Sequence, residues 1–376
     1  MLSDRELERY HRQLILPLVG VEGQRLLSQS SVAVVGAGGL GLPLLFYLAA
    51  AGVGRLLIVD GDVVERSNLH RQVWFTTDDV GSNKAEVAAR QLRRLNPHIQ
   101  VDYIKSFFYT TNGMDIVAHC DWVADCTDNF ASHYQINDVC VKGDKPFLCG
   151  AVQAYQLQVA VLNRNGGGTY RCLYPEPPPP EQAPSCQQVG ILNTVVGIGG
   201  MIMAHELLHL ILNKPTFPQS YLLLADLTSY TFHRLVVPQD EWAVKSLKRQ
   251  PLQHPDTYQR WCAREYSNQT VRELSAAELA QLQQRESVVL LDVREEIEDE
   301  KPGDGVWWIP FSELMRRAPE IPRQNKVVVC CSIGFRSYVA VQLLQHRFGF
   351  TNLYHLRGGL TSFRASHGDL YAVDSS

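Results

Sequence analysis

The sequence predicts an α/β protein that consists of two consecutive domains. Apolar, strand-like segments alternate with helical ones from Ser31 onward, the first strand runs into a glycine-rich turn, and the alternation starts again near Gln269. The chain of 376 residues is long enough for two or three domains of about 150 residues each. We expect a first domain over 1–240, a linker over 241–268 and a second domain over 269–376.

Composition narrows the class of protein. Hydrophobic residues make up 45% of the chain and charged residues 20%, a balance typical of a globular protein with a core. The net charge of −4 gives no basic field for nucleic acid. The amino terminus is charged from Asp4 onward and has no apolar signal segment, and glycines and polar residues interrupt the most apolar stretch, 189–212. We expect a cytoplasmic protein that binds neither nucleic acid nor a membrane.

The first domain is predicted to contain one extended sheet. Eight segments have the apolar composition of strands: 32–35, 56–59, 100–104, 122–124, 147–149, 156–162, 221–225 and 230–237. Helices are expected near 42–51 and 83–95. The proline-rich segment YPEPPPPEQAPSC, which ends at Cys186, cannot continue a helix or a central strand, so we expect a mobile surface loop there.

The turn after the first strand carries a nucleotide-binding pattern. Its glycines follow the GxGxxG spacing and precede a helix, a second strand and the acidic residue Asp60, which lies 19 residues after the last glycine; they are Gly36, Gly38, Gly39 and Gly41. This order predicts a Rossmann-like domain in which a phosphate approaches a helix N-terminus. The glycines alone leave open whether the ligand is NAD, FAD or another adenine nucleotide.

Polar residues after the strands favour a triphosphate over a redox cofactor. They follow the second and fourth strands and open the second helix: Asp62, Ser67, Asn68, Arg71, Gln72, Lys84, Asp125, Asp128 and Asn129. These strand ends meet at the carboxyl edge of a parallel sheet, where such folds bind ligands. Two cations and a carboxylate suit a triphosphate with Mg²⁺, whereas hydride transfer needs a flat apolar slot for nicotinamide.

Residues from about 9 to 240 resemble the MoeB/ThiF/HesA family, relatives of the ubiquitin-activating enzymes. The matching segments occur in the same order along the chain: RYHRQ, GAGGLG, GVGRLLIVDGDVVERSNLHRQ, VGSNKAE, NPHI, DCTDN and RCLY. The resemblance implies ATP as the nucleotide and adenylation of a small ubiquitin-like sulfur-carrier protein at its C-terminal Gly-Gly carboxylate, with release of pyrophosphate.

The resemblance also implies roles for individual residues. Asp60 would bind the ribose hydroxyls of ATP, and Asp128 would bind Mg²⁺. The phosphates would be held by Asn68, Arg71 and Lys84. The other expected nucleotide-binding residues are the four glycines, Asp62, Gln72 and Asn129. Arg12 resembles an arginine that reaches the nucleotide of a partner subunit, which implies a homodimer.

Two parts of the sequence resemble metal-binding patterns. The family commonly carries two CxxC pairs for zinc, but here Cys172 has Pro175 where its partner would stand, and only Cys262 follows downstream, so we expect no structural zinc. HELLH, His205 to His209, fits the HExxH metalloprotease pattern. Leu212 stands where the extended form of that pattern has glycine, and we favour a packed core or interface helix.

The second domain repeats the strand–loop–helix plan around a cysteine. A helix precedes a strand over 288–291, a second strand covers 327–329, and a helix starts near Ser337. CSIGFR, which begins at Cys331, lies between strand and helix, so its backbone N–H groups form a cradle that stabilises a thiolate or a persulfide. LLDVRE, CxxGxR and LRGGLTSF make this domain resemble a rhodanese, although the segment EDEKPGDGVWWIPF keeps only the end of a common rhodanese motif.

The two resemblances together imply a two-step sulfur chemistry. Adenylation activates the carrier carboxylate, a Cys331 persulfide supplies sulfur to give a thiocarboxylate, and Cys186 helps to release it by disulfide exchange. A cysteine desulfurase or thiosulfate would supply the sulfur. The alternatives are an adenylyltransferase with an inactive rhodanese domain, a non-catalytic carrier-binding scaffold and an NAD-dependent oxidoreductase. The sequence leaves open whether the pathway leads to molybdopterin, thiamine, thiolated tRNA or a secondary metabolite.

Overall fold

The computed structural model describes residues 2–177, 190–213, 219–262, 271–295, 306–332 and 334–367. The chain forms two compact units. The first comprises Met1–Cys172 and Pro180–Ala263, and the second comprises Leu173–Pro179 and Arg264–Ser376.

An eight-stranded sheet forms the centre of the first unit. Its strands are β1 (Ser31–Val35), β2 (Arg55–Val59), β3 (Gln100–Ile104), β4 (Trp122–Asp125), β5 (Phe147–Gln153), β6 (Gln156–Leu162), β7 (Tyr221–Asp226) and β8 (Thr231–Val236). They lie in the order β3-β2-β1-β4-β5-β6-β7-β8. The first five strands are parallel to one another, and the last three continue the sheet in antiparallel pairs.

Helices surround this sheet. They are α1 (Asp4–Leu14), α2 (Gly20–Gln29), α3 (Gly41–Ala51), α4 (Lys84–Leu95), α5 (Thr110–Ala118), α6 (Phe130–Lys142), the short α7 (Tyr170–Leu173), α8 (Asn193–Ile211), α9 (Glu241–Arg249) and α10 (Pro255–Cys262). Local signals set several of their ends. Ser3 and Glu6 form a capping box before α1, Asn83 caps α4, and Gly52 ends α3 in the left-handed conformation.

The strand order creates a crevice between β1 and β4. The chain winds from β1 outward through β2 to β3, then returns to the other side of β1 to form β4 and β5. Loops that leave neighbouring strands in opposite directions diverge, and ligands bind in this position in open α/β sheets. The glycine-rich turn follows β1, and the DCTDN segment follows β4, with Val35 paired to Asp125 at the strand ends.

The core of the first unit packs apolar helices against the sheet. Leu42, Leu45 and Leu48 of α3 are fully buried and join β-strand side chains in one hydrophobic cluster. The cluster includes Met203 and Leu207 of α8. Among the described helices, α8 is the one that is long and apolar enough to cross a membrane by length and composition, but 56% of its apolar stretch is buried inside the protein. Its apolar character is explained by its place in the core.

The expected linker begins with ordered helices. We predict a linker over 241–268, but α9 and α10 belong to the first unit, and each buries an apolar residue, Val244 and Tyr258 respectively. Asp240 caps α9 by accepting a hydrogen bond from the Ala243 N–H. Both helices pack against α6, and the apolar residues that they bury lie on their inward faces.

The second unit is built on a five-stranded parallel sheet. Its strands are β9 (Arg272–Leu274), β10 (Val288–Asp292), β11 (Trp307–Trp308), β12 (Lys326–Cys330) and β13 (Leu353–Leu356), in the order β11-β10-β12-β13-β9. Its described helices are α11 (Ala276–Arg285), α12 (Leu314–Arg317), α13 (Phe335–Phe348) and α14 (Gly359–His367). The two sheets confirm the predicted fold class, a large α/β domain followed by a smaller one.

Candidate active sites

The glycine-rich turn requires glycine on steric grounds. Gly36 has a φ of 94°, and a Cβ atom there would lie 2.9 Å from the carbonyl oxygen of Cys126. A Cβ atom at Gly41 would lie only 1.9 Å from the carbonyl oxygen of Gly36. The turn therefore folds tightly back on itself at the start of α3, which leaves room for a ligand phosphate to approach the backbone.

Asp60 links the end of β2 to the glycine-rich turn. Its carboxylate accepts hydrogen bonds from the backbone N–H of Ala37 at 2.7 Å and of Asp62 at 2.8 Å. Burial raises the pKa of Asp60, while the two N–H donors and the Lys84 cation oppose this shift without cancelling it. Each carboxylate oxygen retains a lone pair that can accept a hydrogen bond from a ligand hydroxyl.

Lys84 is held at the same edge by Asp62. Its ammonium nitrogen lies 3.0 Å from Asp62 Oδ2, and its side chain is 9% exposed, whereas that of Asp62 is 55% exposed. The backbone N–H of Lys84 also donates to the Asp62 carbonyl at 2.9 Å. A largely buried lysine with one exposed counter-ion is a cation that a phosphate can share or take over.

A short 3₁₀ turn, Arg66–Asn68, positions the polar residues that follow β2. Asn68 ends this turn, and Arg71 and Gln72 come shortly after it. Asn68 is buried and accepts a hydrogen bond from the Glu65 N–H at 3.3 Å, and Arg71 donates to the Ser67 carbonyl at 3.3 Å. Gln72 is 3% exposed, and its Oε1 has no hydrogen-bond partner among the described residues.

Gln72 also lies against the glycine-rich turn. Its Nε2 would be 3.6 Å from a Cβ atom at Gly38. A buried amide oxygen without a partner is costly, which points to a ligand or water at this position. Gln72 and the turn therefore fit a bound nucleotide.

Asp128 and Asn129 occupy the loop that leaves β4. Asn129 caps α6 by accepting a hydrogen bond from the Ser132 N–H at 2.9 Å. The Asp128 carboxylate is exposed, and within the described chain it makes no hydrogen bond or ion pair. A carboxylate in this state suits a hard divalent cation such as Mg²⁺.

A buried triad that the sequence does not predict lies beneath this loop. His133 Nδ1 is 2.7 Å from Asp125 Oδ2 and 3.5 Å from Cys149 Sγ. Thr127 donates to Asp125 Oδ1 through its hydroxyl at 2.7 Å and its N–H at 3.0 Å. Among the described residues, Asp125, His133 and Cys149 are the one group with three potential metal-ligand atoms close together.

The triad is best described as a buried ion pair. Burial lowers the pKa of His133, but the charge of Asp125 and the hydrogen bonds to Asp125 and Cys149 outweigh this, so that pKa lies well above its usual value. Burial raises the pKa of Asp125, yet the charge and hydrogen bond of His133 and the Thr127 bonds leave it lowered. Burial raises the pKa of Cys149 to about 11, so its thiol stays protonated at neutral pH.

Two predicted catalytic residues are not joined to this edge by the structure. Arg12 lies on α1 with an exposed side chain, and no hydrogen bond or ion pair in the described chain connects it to the glycine-rich turn. Cys186 lies outside the described residues.

The metal-binding patterns have ordinary structural partners. The buried thiol of Cys172 accepts a hydrogen bond from the Asp240 N–H at 3.3 Å, and Cys262 is only partly buried. Glu206 of the HELLH segment is buried, and it accepts hydrogen bonds from Arg234 at 2.9 Å and from the Tyr221 hydroxyl. Glu206 is thus engaged with the sheet, which favours the core-helix interpretation over a protease site.

Cys331 occupies a cradle in the second unit. Directly after β12, its sulfur accepts hydrogen bonds from the backbone N–H of Gly334 at 3.2 Å and of Ser337 at 3.4 Å. Gly334 adopts a φ of 91° to make this turn before α13. A Cβ atom at Gly359 would lie 2.4 Å from the Cys331 carbonyl oxygen, so only glycine allows the following turn to pack here. The cradle stabilises negative charge on sulfur.

A crevice beside a glycine-rich turn in one unit and a cysteine cradle in the other are the features expected of a two-domain activating enzyme, and comparison with known proteins identifies the family. Residues 10–243 match the ThiF family, and residues 275–366 match the rhodanese-like domain. The chain belongs to the ThiF family and carries a rhodanese-like domain at its carboxyl end. The resemblance inferred from the sequence motifs is confirmed.

Named relatives match either nearly the whole of this chain or a large part of it. The chain is 46% identical over 240 residues to a sulfur carrier protein adenylyltransferase from Thermus thermophilus, covering 62% of this chain and 89% of that protein. It is 36% identical to the adenylyltransferase and sulfurtransferase MOCS3 of Drosophila sechellia, covering 97% and 84% of the two chains. It is 34% identical to the probable adenylyltransferase/sulfurtransferase MoeZ of Mycobacterium tuberculosis, covering 96% and 94%.

A solved structure supports the fold of the first unit. The crystal structure of E. coli MccB with MccA-N7isoASN superposes with a TM-score of 0.54 at 22% identity, covering 62% of this chain and 73% of that one. The predicted enzyme class, an adenylyltransferase with a sulfurtransferase domain, is that of the named relatives.

Proposed function

We propose that the protein uses ATP to adenylate the C-terminal Gly-Gly carboxylate of a ubiquitin-like sulfur-carrier protein and then transfers sulfur to it from Cys331. The observation that carries the first half is the crevice between β1 and β4. Four features follow the neighbouring strands β1, β2 and β4 at this edge of the sheet. They are the tight glycine-rich turn, the Gln72 oxygen that has no partner among the described residues, the buried Lys84 and the exposed Asp128. Each has the chemistry that one part of a nucleoside triphosphate requires.

The adenylation step follows from these residues. Asp60 accepts hydrogen bonds from the ribose hydroxyls, and the glycine turn lets the phosphates meet the N-terminal N–H groups of α3. Arg71 and Lys84, with Asn68, neutralise charge on the phosphates while a carrier carboxylate oxygen attacks the α-phosphorus. Pyrophosphate leaves, and the carrier retains a mixed anhydride with AMP.

Asp128 is the residue we assign to Mg²⁺. Its carboxylate is a hard oxygen donor that is exposed at the crevice. When bound, the ion would offset the charge of the phosphates and favour departure of pyrophosphate. Asp62 and Asn129 border the same space, the first through its ion pair with Lys84 and the second through its cap on α6.

Sulfur transfer is assigned to Cys331. A persulfide on Cys331 attacks the activated carbonyl carbon with its terminal sulfur, AMP leaves, and carrier and enzyme are joined by an acyl disulfide. Attack by the Cys186 thiolate on the Cys331 sulfur then releases the carrier thiocarboxylate and leaves a Cys186–Cys331 disulfide, which an external thiol must reduce. The persulfide would come from a cysteine desulfurase or thiosulfate.

We further propose that the enzyme acts as a homodimer in the cytoplasm. Arg12 would complete the nucleotide site of the partner subunit. Apolar side chains near its helix support an interface, since Ile15 is 60% exposed, Leu16 52% and Val21 64%.

Asp128 offers the most direct test of the adenylation step. We expect Asp128→Ala to lower carrier-dependent ATP–pyrophosphate exchange by about a hundredfold or more, because the protein would lose its ligand for the cation that offsets the phosphate charge. Asp115→Ala removes an exposed carboxylate from α5 and serves as the matched control. Normal exchange in a folded Asp128→Ala protein would refute the assignment.

A further inference from the structure

A chain of polar side chains leads from Cys331 away from its cradle. The Cys331 thiol lies 3.6 Å from Ser337 Oγ, and that oxygen lies 3.2 Å from His355 Nδ1. On the other side of the ring, His355 Nε2 is 3.6 Å from Glu273 Oε2. Cys331 and Ser337 are completely buried, His355 is 6% exposed, and the Glu273 side chain is 28% exposed.

The first consequence concerns how Cys331 can lose its proton. The attacking species in thiol chemistry is the thiolate, so a reacting Cys331 must be deprotonated. Its sulfur already accepts hydrogen bonds from two backbone N–H groups, and its side chain has no exposed surface. A proton can leave through a neighbouring side chain, and among the described residues Ser337 has the hydroxyl within hydrogen-bonding distance of the sulfur.

The direction of the path follows from the state of His355. Burial, aided by the cation of Arg357, lowers the pKa of His355 to about 4, so the ring is neutral at pH 7. A neutral ring carries one N–H, and the Glu273 carboxylate favours the tautomer with that hydrogen on Nε2. Nδ1 is then an acceptor. The Ser337 hydroxyl lies 3.2 Å from Nδ1 and 2.9 Å from the Gly334 carbonyl oxygen, so its hydrogen can be donated to either acceptor.

We propose that Ser337 and His355 are positioning residues for sulfur transfer and that with Glu273 they form the route by which the buried Cys331 thiol exchanges its proton with water. The thiol proton passes to Ser337 Oγ as the Ser337 hydroxyl proton passes to His355 Nδ1, and the Nε2 proton passes to Glu273. The ring changes tautomer but stays neutral, and the partly exposed Glu273 releases the proton to water. Reversal of the same steps returns the thiol.

The other charged and titratable groups around the route come from several elements. Arg357 follows β13, and its guanidinium lies 3.5 Å from Glu273. The Tyr338 ring of α13 packs edge-on against His355 with centroids 5.6 Å apart. Next to Cys331 in the chain, Cys330 pairs in register with Asp292 of β10, which forms an ion pair with Arg294. Among the described contacts, the series from the Cys331 sulfur runs to Ser337 and then to His355.

The test is the pH dependence of thiosulfate:cyanide sulfur transfer by the full-length chain; it rests on the proposed role of Cys331. In Ser337→Ala and His355→Leu we expect the rate at pH 7 to fall about tenfold, the order of one hydrogen bond to a charged group. The acidic limb should move up by about one pH unit, and the rates should approach wild type at high pH, where thiols ionise without a relay. Ser337→Thr keeps a hydroxyl at the required position and should restore most of the activity, whereas His355→Asn cannot pass a proton between two nitrogens and should not.

A milder variant covers the case in which a core substitution prevents folding. Glu273 is partly exposed, and Glu273→Gln should shift the pH–rate profile in the same direction by a smaller amount. Glu286→Gln is the control, because it removes a surface carboxylate paired with Lys326 and should leave the profile unchanged. Ser366→Ala is the matched control for loss of a serine hydroxyl in this unit.

The outcomes separate the two proposals. If Ser337→Ala and His355→Leu keep the wild-type profile, or lose the same fraction of activity at every pH, the proton route is wrong. A wild-type profile in Glu273→Gln when both core variants fail to fold would also overturn it. If Cys331→Ala itself retains sulfur transfer, the failure lies in the assignment of Cys331 rather than in the route.

Discussion

The buried ion pair between His133 and Asp125 gives a quantitative prediction about stability. In His133→Leu, a side chain of similar size replaces the ring, so the main change is loss of the partner of a fully buried carboxylate. Breaking a buried pair in this way costs about 3–5 kcal/mol, and the two Thr127 hydrogen bonds that remain on Asp125 place the expected cost near about 3 kcal/mol. For a unit of this size that corresponds to a Tm lower by about 6–12 °C.

The assay is calorimetry of the full chain, followed through the transition of the first unit. A second variant, His133→Leu with Asp125→Asn, removes the charge as well as its partner and should recover about half of the lost stability or more. A loss below about 1 kcal/mol in the single variant would show that the pair contributes little. The absence of recovery in the double variant would show that packing, and not charge, accounts for the loss.

The same pair predicts how stability varies with pH. The pKa of His133 is raised on folding, so its contribution is complete below the unfolded value of about 6.5 and is lost as pH rises toward the folded value. In this pH range, the free energy of unfolding of the wild-type protein should fall by about 1 kcal/mol per pH unit relative to that of His133→Leu. The pKa of Asp125 is lowered, so its contribution holds above its unfolded value and declines as acid protonates it. A constant difference between wild type and His133→Leu from pH 6 to 8.5 would contradict this sign.

Two further predictions concern the nucleotide site. Gly41→Ala should weaken ATP binding at least about tenfold in a titration, because the new Cβ atom would lie 1.9 Å from the Gly36 carbonyl oxygen and the turn would have to open. Gly197→Ala is the control, since a Cβ atom there has nothing within 4 Å, and this variant should bind ATP normally. Equal ATP affinities of the two variants would refute the steric argument. Mixing inactive Arg12→Ala and Asp128→Ala proteins should restore about a quarter of wild-type exchange activity, since random exchange gives half heterodimers with one intact site each. No recovery despite demonstrated subunit exchange would contradict action across the interface.

The strands and the glycine-rich turn could be predicted because their signals are local. Apolar β-branched runs give β1 to β4 almost to the residue, and the GxGxxG spacing with Asp60 identifies the crevice at the switch point. Lys84 is expected near phosphate from its motif. Its burial against Asp62, however, depends on contacts across 22 positions, which no local pattern reveals.

Features built from distant residues could not be predicted. His133 and Cys149 lie on α6 and β5, and only the register of β4 with β5, which pairs Asp125 with Cys149, brings them together. The polar stretch that contains α9 and α10 predicts a linker with some helix, but no local pattern indicates that these helices pack against α6.

In the structure, α10 is fixed to α6 by tertiary contacts. Tyr258 donates to Asp138 at 2.7 Å, and the Arg171 guanidinium lies 4.8 Å from the centre of the Trp261 ring. Asp138 also pairs with Arg171. In the second unit, Cys331 is predicted from its loop, but the path through Ser337 to His355 exists only once α13 and β13 are side by side.

The central claim, that adenylation and sulfur delivery are carried by separate residues of one chain, is tested most directly by the mass of the carrier protein. The carrier is incubated with ATP, Mg²⁺, a fixed sulfur donor and either Cys331→Ala or the control Cys330→Ala, whose thiol is buried in β12. Cys331→Ala should keep carrier-dependent pyrophosphate exchange near wild type yet give no carrier with sulfur in place of oxygen, whereas Cys330→Ala should give both. Thiocarboxylate formation at the wild-type rate by Cys331→Ala would contradict the account, because sulfur would then reach the carrier without the rhodanese-like domain.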